Sequence, residues 1–363
     1  SRNMTHSPTP SSPSLNARIK RLLIVTDAWQ PQVNGVVRTL ETVVEQLRGR
    51  GDEVEVVHPG LFRTVPCPTY PEIRLALAPG RGLEQAWERF QPDAVHIATE
   101  GPLGMAARRA CLRRKQPFST AFHTRFPEYV HARTRIPASL SYRVMRWFHG
   151  PAERVMVATE TVQRDLEHHG FGNCVRWSRG VDTAAFSPEG PRALELEGPV
   201  FLYCGRVAVE KNIEAFLALD LPGTKLVVGD GPARASLERR FPDAVFAGMQ
   251  RGADLAAHYR SADVFVFPSR TDTFGLVMLE ALASGLPVAA YPVSGPLDVV
   301  GGTDVAVLDE DLGRAARAAL DLDPARCRAF AEEHSWARCA DLFRSYLALP
   351  PAVLDQGSRA VAL

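Results

Sequence analysis

Val200-Phe201-Leu202-Tyr203-Cys204 runs directly into Gly205-Arg206-Val207-Ala208-Val209-Glu210-Lys211-Asn212. Five apolar residues ending on a glycine read as a buried strand that opens into a turn. The turn carries two cations, Arg206 and Lys211, at the mouth of that strand. A diphosphate needs such charge, because opposite charges ~4 Å apart gain roughly 4 kcal/mol at an effective dielectric of 20. Arg206 alone would equally serve as a solvated surface charge. Lys211 stands out, because the chain has 38 Arg and only four Lys: Lys20, Lys115, Lys211 and Lys225.

The same alternation of short apolar runs and helical patterns extends in both directions. Downstream, Lys225–Val228, Ala244–Phe246, Val264–Phe267 and Pro287–Ala290 read as strands separated by helices. Upstream, the strands are Arg21–Thr26, Glu53–His58, Ala94–Ile97, Phe118–Phe122 and Val155–Ala158. Helices are expected over Val36–Arg48 and near 103–115, 138–149 and 160–169. Such repeated βαβ units predict an α/β protein of two Rossmann-like, doubly wound domains facing a central cleft. Residues 17–185 form the first domain in this reading and 186–345 the second. The Pro/Gly/Glu-rich stretch before 199 marks the boundary, a Ser/Pro/Thr-rich tail occupies 1–16, and a C-terminal tail occupies 346–363.

The 363 residues are ample for two cores, and 45% hydrophobic with 23% charged residues excludes a disordered or collagen-like chain. The net charge of +1 argues against nucleic acid as a partner. It conceals an uneven split, a net of +8 over residues 1–184 and −7 over 185–363. Six cysteines lack any C-x2-C pair, so neither a zinc site nor a redox motif is expected, and they read as reduced intracellular thiols. No run approaches the ~20 apolar residues of a membrane span. The expectation is a cytoplasmic protein, with peripheral attachment to the inner face of the membrane left open.

Turns after strands are where ligands bind in such folds. In the first, Asp27-Ala-Trp-Gln-Pro-Gln-Val-Asn34-Gly35, Gly35 opens a helix whose N–H groups could face an anion, although an ordinary turn glycine explains the loop as well. Gly229-Asp230-Gly231-Pro232 fits both a tight crossover turn and a backbone approaching a nucleotide base. The densest segment is Val264-Phe-Val-Phe-Pro268-Ser269-Arg270-Thr271-Asp272-Thr273-Phe274-Gly275-Leu-Val-Met-Leu-Glu280-Ala-Leu-Ala-Ser284-Gly285-Leu-Pro287. Here a strand stops at Pro268 and a helix starts near Phe274-Gly275. Glu280 stands alone as a carboxylate in the apolar stretch Leu276 to Ala283, where a salt bridge would not explain it. A carboxylate accepts two hydroxyl donors, so Glu280 suits a ribose diol and Asp272 a hexose hydroxyl.

Taken together, Gly205-Arg206…Glu210-Lys211-Asn212, Gly229-Asp-Gly-Pro232 and Pro268…Asp272-Thr-Phe-Gly275…Glu280…Gly285-Leu-Pro287 resemble retaining glycosyltransferases of family 4, over residues 20–345. The first half agrees through Pro31-Gln-Val-Asn34-Gly35, Phe122-His123-Thr-Arg125 and Arg179-Gly180-Val181-Asp182. The form Thr271-Asp272-Thr273-Phe274-Gly275 is similar to the branch holding GDP-mannose-dependent α-mannosyltransferases and sulfolipid synthases. The resemblance implies the GT-B fold and retention of configuration. It implies that Arg206 and Lys211 hold the donor diphosphate and Glu280 the ribose. Asp272, with the backbone of Phe274 and Gly275, would hold the transferred sugar, and His123 would meet that sugar or the reacting oxygen. Gly35, Gly205 and Gly231 complete the donor set. The donor would be GDP-mannose or a UDP-hexose and the acceptor a lipid or lipid-linked glycan. No cofactor or metal is expected, because two side-chain cations can replace a divalent ion.

Acceptor binding then falls to the basic first half. Asn34 and the helical cluster Arg108, Arg109, Arg113, Arg114 and Lys115 are expected on that surface. A second stretch sets Arg135, Arg143 and Arg146 beside Tyr142, Trp147 and Phe148. Basic residues among aromatics suit an anionic membrane surface, while each stretch alone equally fits a solvated basic face. Two other functions stay open, a nucleotide-sugar 2-epimerase of the same fold and a non-catalytic nucleotide-sugar-binding protein.

Overall fold

The computed structural model describes residues 19–32, 35–67, 70–123, 135–271 and 276–348. The chain divides into two compact units. Unit 1 comprises the residues up to Ala158, Val162–Trp177 and Ala340 onward, and unit 2 comprises Thr159–Thr161 and Ser178–Cys339.

In unit 1 the strands are β1 (Arg21–Val25), β2 (Glu53–Val57), β5 (Ala94–Ile97), β6 (Phe118–Phe122), β7 (Arg154–Val157) and β8 (Cys174–Arg176), joined in the order β2-β1-β5-β6-β7-β8. Every pairing is parallel. Helices α1 (Gly35–Gly49), α2 (Gly80–Phe90), α3 (Pro102–Arg114), α4 (Ala138–His149) and α5 (Glu160–His168) alternate with them. The central strands are buried along their length, as in β5 and β6, because parallel strands covered on both faces must be apolar throughout. An antiparallel ribbon of β3 (Thr64–Cys67) and β4 (Tyr70–Ala76) was not expected from the sequence. Pro66 and Pro71 interrupt its apolar pattern, and a two-stranded ribbon tolerates them because both of its strands are edges.

Unit 2 repeats the architecture with β9 (Val200–Cys204), β10 (Thr224–Val228), β11 (Val245–Gly248), β12 (Val264–Phe267), β13 (Val288–Ala290) and β14 (Ala306–Leu308). The order is β11-β10-β9-β12-β13-β14, again all parallel. Its helices are α6 (Ile213–Leu217), α7 (Arg234–Arg240), α8 (Gly252–Arg260), α9 (Leu276–Ala283), α10 (Ser294–Val300), α11 (Leu312–Ala319), α12 (Pro324–Glu333) and α13 (Trp336–Ser345). In each sheet the first strand in sequence lies between its successor and a later strand, so the order reverses at β1/β5 and at β9/β12. Such switch points open crevices at the carboxyl ends of strands.

The units divide at 177/178 rather than at the expected 185/186, and the chain rejoins unit 1 from Ala340 rather than ending the second domain at 345. Backbone bonding explains the first shift. Val181 N–H donates to the His334 carbonyl at 2.9 Å, and the Arg328 guanidinium donates to the carbonyls of Thr183 and Phe186. The second shift follows from Arg344, paired with Asp52 at 3.0 Å, and from Phe343, packed on Trp177 and His96. Leu347 and Ala348, expected in a C-terminal tail, are buried in the structure. The expected N-terminal tail, 1–16, lies outside the described residues.

Candidate active site

The carboxyl ends of β9, β10 and β11 in unit 2 enclose a cavity of about 500 Å3. Its walls include Cys204, Gly205, Arg206, Asp230, Gln250 and Arg251. Glycines make the crevice possible. Gly205 has φ +152° and Gly229 φ +140°, and a Cβ on Gly229 would stand 1.8 Å from the Gly205 carbonyl oxygen. The two crossover turns are laced by Gly205 N–H to Val228 O and Val207 N–H to Asp230 O, each 3.0 Å. Gly231 is a glycine for the same reason, since a Cβ there would meet the Val207 carbonyl at 2.3 Å. Its lack of a side chain therefore serves the contact between loops.

Arg206 is exposed, and its carbonyl is held by the Tyr203 hydroxyl at 2.7 Å. Lys211 closes a short 3-10 turn, Val209–Lys211, and is half-buried. Asn212 follows at φ +58° and donates to the Pro268 carbonyl at 3.0 Å, tying this cationic loop to the end of β12. The other lysine of unit 2 has a different use: Lys225 Nζ donates to the carbonyl of Leu217 at 2.7 Å, closing the end of α6.

Glu280 sits on α9, half-buried, and its Oε2 accepts the Tyr259 hydroxyl at 2.8 Å. Tyr259, at the end of α8, is fully buried, with Phe186 edge-on at 5.6 Å. The bond between Tyr259 and Glu280 joins the end of α8 to α9. Burial pushes the Glu280 carboxyl above its ordinary value, the Tyr259 hydrogen bond opposes that shift, and burial pushes the Cys204 thiol up to about 12. At the far end of α9, Arg328 donates to the Ala283 carbonyl at 2.9 Å, a cation on the last turn where the helix dipole favours one. The lone carboxylate of the apolar helix is thus held by a phenol. The role of Tyr259 was not legible in the sequence, where it is one aromatic ahead of an apolar strand. Asp272, Phe274 and Gly275 lie outside the described residues, as does Asn34.

In unit 1, Gly35 is the first residue of α1. His123 follows β6 at its carboxyl end, half-buried, near His96, whose pKa burial drives down to about 3, with a smaller contribution from His123. A residue without an assigned role occupies the switch point. Asp27 is buried after β1, and its carboxylate accepts Leu103 N–H at 2.8 Å, Gly104 N–H at 3.3 Å and the Thr99 hydroxyl at 2.6 Å. It therefore caps the N-terminus of α3 from another element. Burial raises the Asp27 carboxyl above its ordinary value, against the pull of these bonds. Nearby, His149 is fully buried between the Thr120 hydroxyl at 2.7 Å and Glu100 at 2.9 Å.

The basic cluster on α3 differs from the expected open surface. Arg108 is buried, because its guanidinium donates to the carbonyls of Trp147 at 2.9 Å and Phe148 at 3.0 Å and lies 3.9 Å over the Trp147 ring. It closes the C-terminus of α4, and burial lowers its pKa. Arg113 and Arg114 are exposed but paired with Glu84, and Arg114 also with Glu88 at 3.0 Å. Arg109 is exposed, as is Trp147 at 53%.

Two doubly wound domains, one with a crevice of glycine turns and cations, define a protein of the GT-B class. A profile described as "Glycosyltransferase Family 4" matches residues 33–185, and one described as "Glycosyl transferases group 1" matches 198–322. A GDP-mannose-dependent alpha-mannosyltransferase of Mycobacterium tuberculosis is 33% identical, covering 77% of this chain and 81% of the relative. Sulfoquinovosyl transferase SQD2 of Arabidopsis thaliana is 32% identical over 74% of this chain, which spans 58% of that longer protein. The crystal structure of a glycosyltransferase from Rickettsia africae matches with a TM-score of 0.61 at 15% identity, covering 91% of this chain and 98% of that one. The chain belongs to glycosyltransferase family 4.

Proposed function

We propose that this glycosyltransferase moves a hexose, with retention of configuration, from a nucleotide-diphosphate sugar to a lipid or lipid-linked glycan acceptor. The donor is GDP-mannose or a UDP-hexose, and mannose is favoured by the mannosyltransferase relatives. The observation that carries this reading is the cationic Gly205–Lys211 loop, whose Gly205 and Arg206 line a cavity at the end of β9, together with Glu280, whose carboxylate is held by Tyr259. In the reaction the sugar–phosphate bond breaks, positive charge grows on the ring, and negative charge leaves on the diphosphate. Arg206 and Lys211 stabilise the departing charge, the work otherwise assigned to a metal ion. Glu280 offers one oxygen to the ribose diol while Tyr259 holds the other. Asp272 and the backbone of Phe274 and Gly275 take the hexose, and His123 serves the sugar or the reacting oxygen; these roles rest on the family resemblance. A lipid acceptor is supported by the sulfolipid-synthase branch of the relatives. No helix among the described residues is long and apolar enough to cross a membrane.

Thermal shift and calorimetry with GDP-mannose, UDP-glucose and UDP-galactose select the donor. Product analysis with and without a lipid extract separates the functions. A glycosylated product only when extract is present supports the transferase, whereas an epimerised nucleotide sugar formed without extract identifies the 2-epimerase. Donor binding without turnover under either condition leaves the binding protein.

A further inference from the structure

Helix α4, Ala138–His149, is apolar on two sides. Tyr142, Met145, Phe148 and His149 are buried within unit 1. On the opposite side Leu140, Val144 and Trp147 are 48%, 49% and 53% exposed, and Ile136, just before the helix, is 41% exposed. Positions 140, 144 and 147 follow i, i+4 and i+7 spacing, so these side chains form one stripe. Arg143 and Arg146 of the same helix are exposed beside it, and α4 contains no Asp or Glu. Exposed large apolar residues aligned in one row with a basic border mark an interaction site rather than scattered surface.

Three candidate occupants differ in charge. A two-fold contact between copies of this chain would set arginine borders against each other, which is repulsive. A neutral apolar partner would leave the arginines without compensation. An anionic lipid surface satisfies both features at once, because acyl chains take the stripe and headgroups take the guanidinium groups. Trp147 is suited to that boundary, since its ring is pinned by Arg108 at 3.9 Å and needs little ordering on contact. We propose that the exposed stripe of α4, Ile136, Leu140, Val144 and Trp147, bordered by Arg143 and Arg146, rests on an anionic lipid surface. Of the two stretches expected on such a surface, this keeps the one on α4 and sets aside the cluster on α3, where Arg108 is buried and Arg113 and Arg114 are paired. It deepens the lipid-acceptor reading, and its test is independent of turnover.

The test is co-sedimentation of the full chain, without donor, with vesicles of phosphatidylcholine alone or mixed with phosphatidylglycerol. The expected result is binding to the anionic vesicles, weakened by salt, and little binding to phosphatidylcholine. Leu140→Ser/Val144→Ser should weaken binding by about tenfold or more, and Arg143→Ser or Arg146→Ser by roughly fivefold each. Calorimetry with GDP and UDP should give unchanged affinity for the Leu140→Ser/Val144→Ser variant, which shows that it is folded. Absence of vesicle binding overturns the proposal, as does equal binding to both vesicle types or binding insensitive to the α4 substitutions. A dimer dissolved by Leu140→Ser/Val144→Ser would instead identify a second copy as the occupant. Vesicle binding without any glycosylated lipid would retain the docking surface and remove the lipid acceptor.

Discussion

The carboxyl ends of the first strands of the two units, β1 and β9, are used in opposite ways. In unit 2 the loops after β9 and β10 enclose an open cavity, with Arg206 and Lys211 on the cationic loop. In unit 1 the space beside the end of β1 is filled by the chain itself. Asp27 supplies a buried carboxylate to the N-terminus of α3, so the N–H groups that could bind an anion are already bonded. A Cβ on Gly101 would stand 2.4 Å from the Asp27 carboxyl carbon, which shows how closely that cap is seated. One fold used twice therefore leaves a cavity beside Arg206 at the end of β9 and a sealed α3 terminus beside the end of β1. This difference supports the proposal that the donor diphosphate binds in unit 2.

Substitutions test that contrast. The largest effect is expected for Lys211→Ala, which should lower turnover by about a hundredfold or more, the scale of removing one group that stabilises developing charge. Its fold should be intact by circular dichroism, and near-wild-type turnover would remove Lys211 from the site. Glu280→Gln should weaken donor binding by roughly tenfold or more, read by calorimetry, since a charged acceptor for hydroxyl donors is lost.

Protonation sharpens the same point. In the proposed role the ionised form of Glu280 accepts the ribose hydroxyls, and burial raises its pKa, so donor affinity should fall with decreasing pH above the ordinary glutamate range. Tyr259→Phe removes the bond that opposes the shift, so the acid limb should move to higher pH. A merely structural Tyr259 would leave that limb in place.

Asp27→Ala should cost about 1–3 kcal/mol of stability in thermal unfolding, by leaving buried donors of α3 and Thr99 unmatched, without changing nucleotide affinity. The smallest effect is expected on α3. Arg113→Ala, an exposed ion pair, should change stability by less than about 1 kcal/mol, whereas buried Arg108→Ala should cost about 2 kcal/mol. Equal losses in chemical denaturation would contradict the roles assigned to these two arginines.

Much of the fold was legible because parallel strands covered on both faces are short apolar runs. Ala94–Ile97, Phe118–Phe122, Val200–Cys204 and Val264–Phe267 have the limits that their composition suggests. The ribbon β3–β4 was hidden by Pro66 and Pro71, and β8 and β14 are three-residue strands too short to show a period. In the site, Glu280 was visible as a charge in an apolar helix, and Lys211 as a rare lysine. Tyr259 and Asp27 were not, because each acts on a partner distant in sequence, 21 residues away in one case and 76 in the other. Arg108 shows the converse. Its neighbours suggested a free basic face, but only packing reveals that the carbonyls of Trp147 and Phe148 take its guanidinium.

The most direct test of the asymmetry is calorimetric titration of GDP and UDP into the wild-type chain, Lys211→Ala and Asp27→Ala in parallel. One nucleotide should bind the wild type, with affinity reduced at least about tenfold by Lys211→Ala and unchanged in folded Asp27→Ala. Unchanged affinity in Lys211→Ala, or a loss confined to Asp27→Ala, would contradict the assignment of the diphosphate to unit 2.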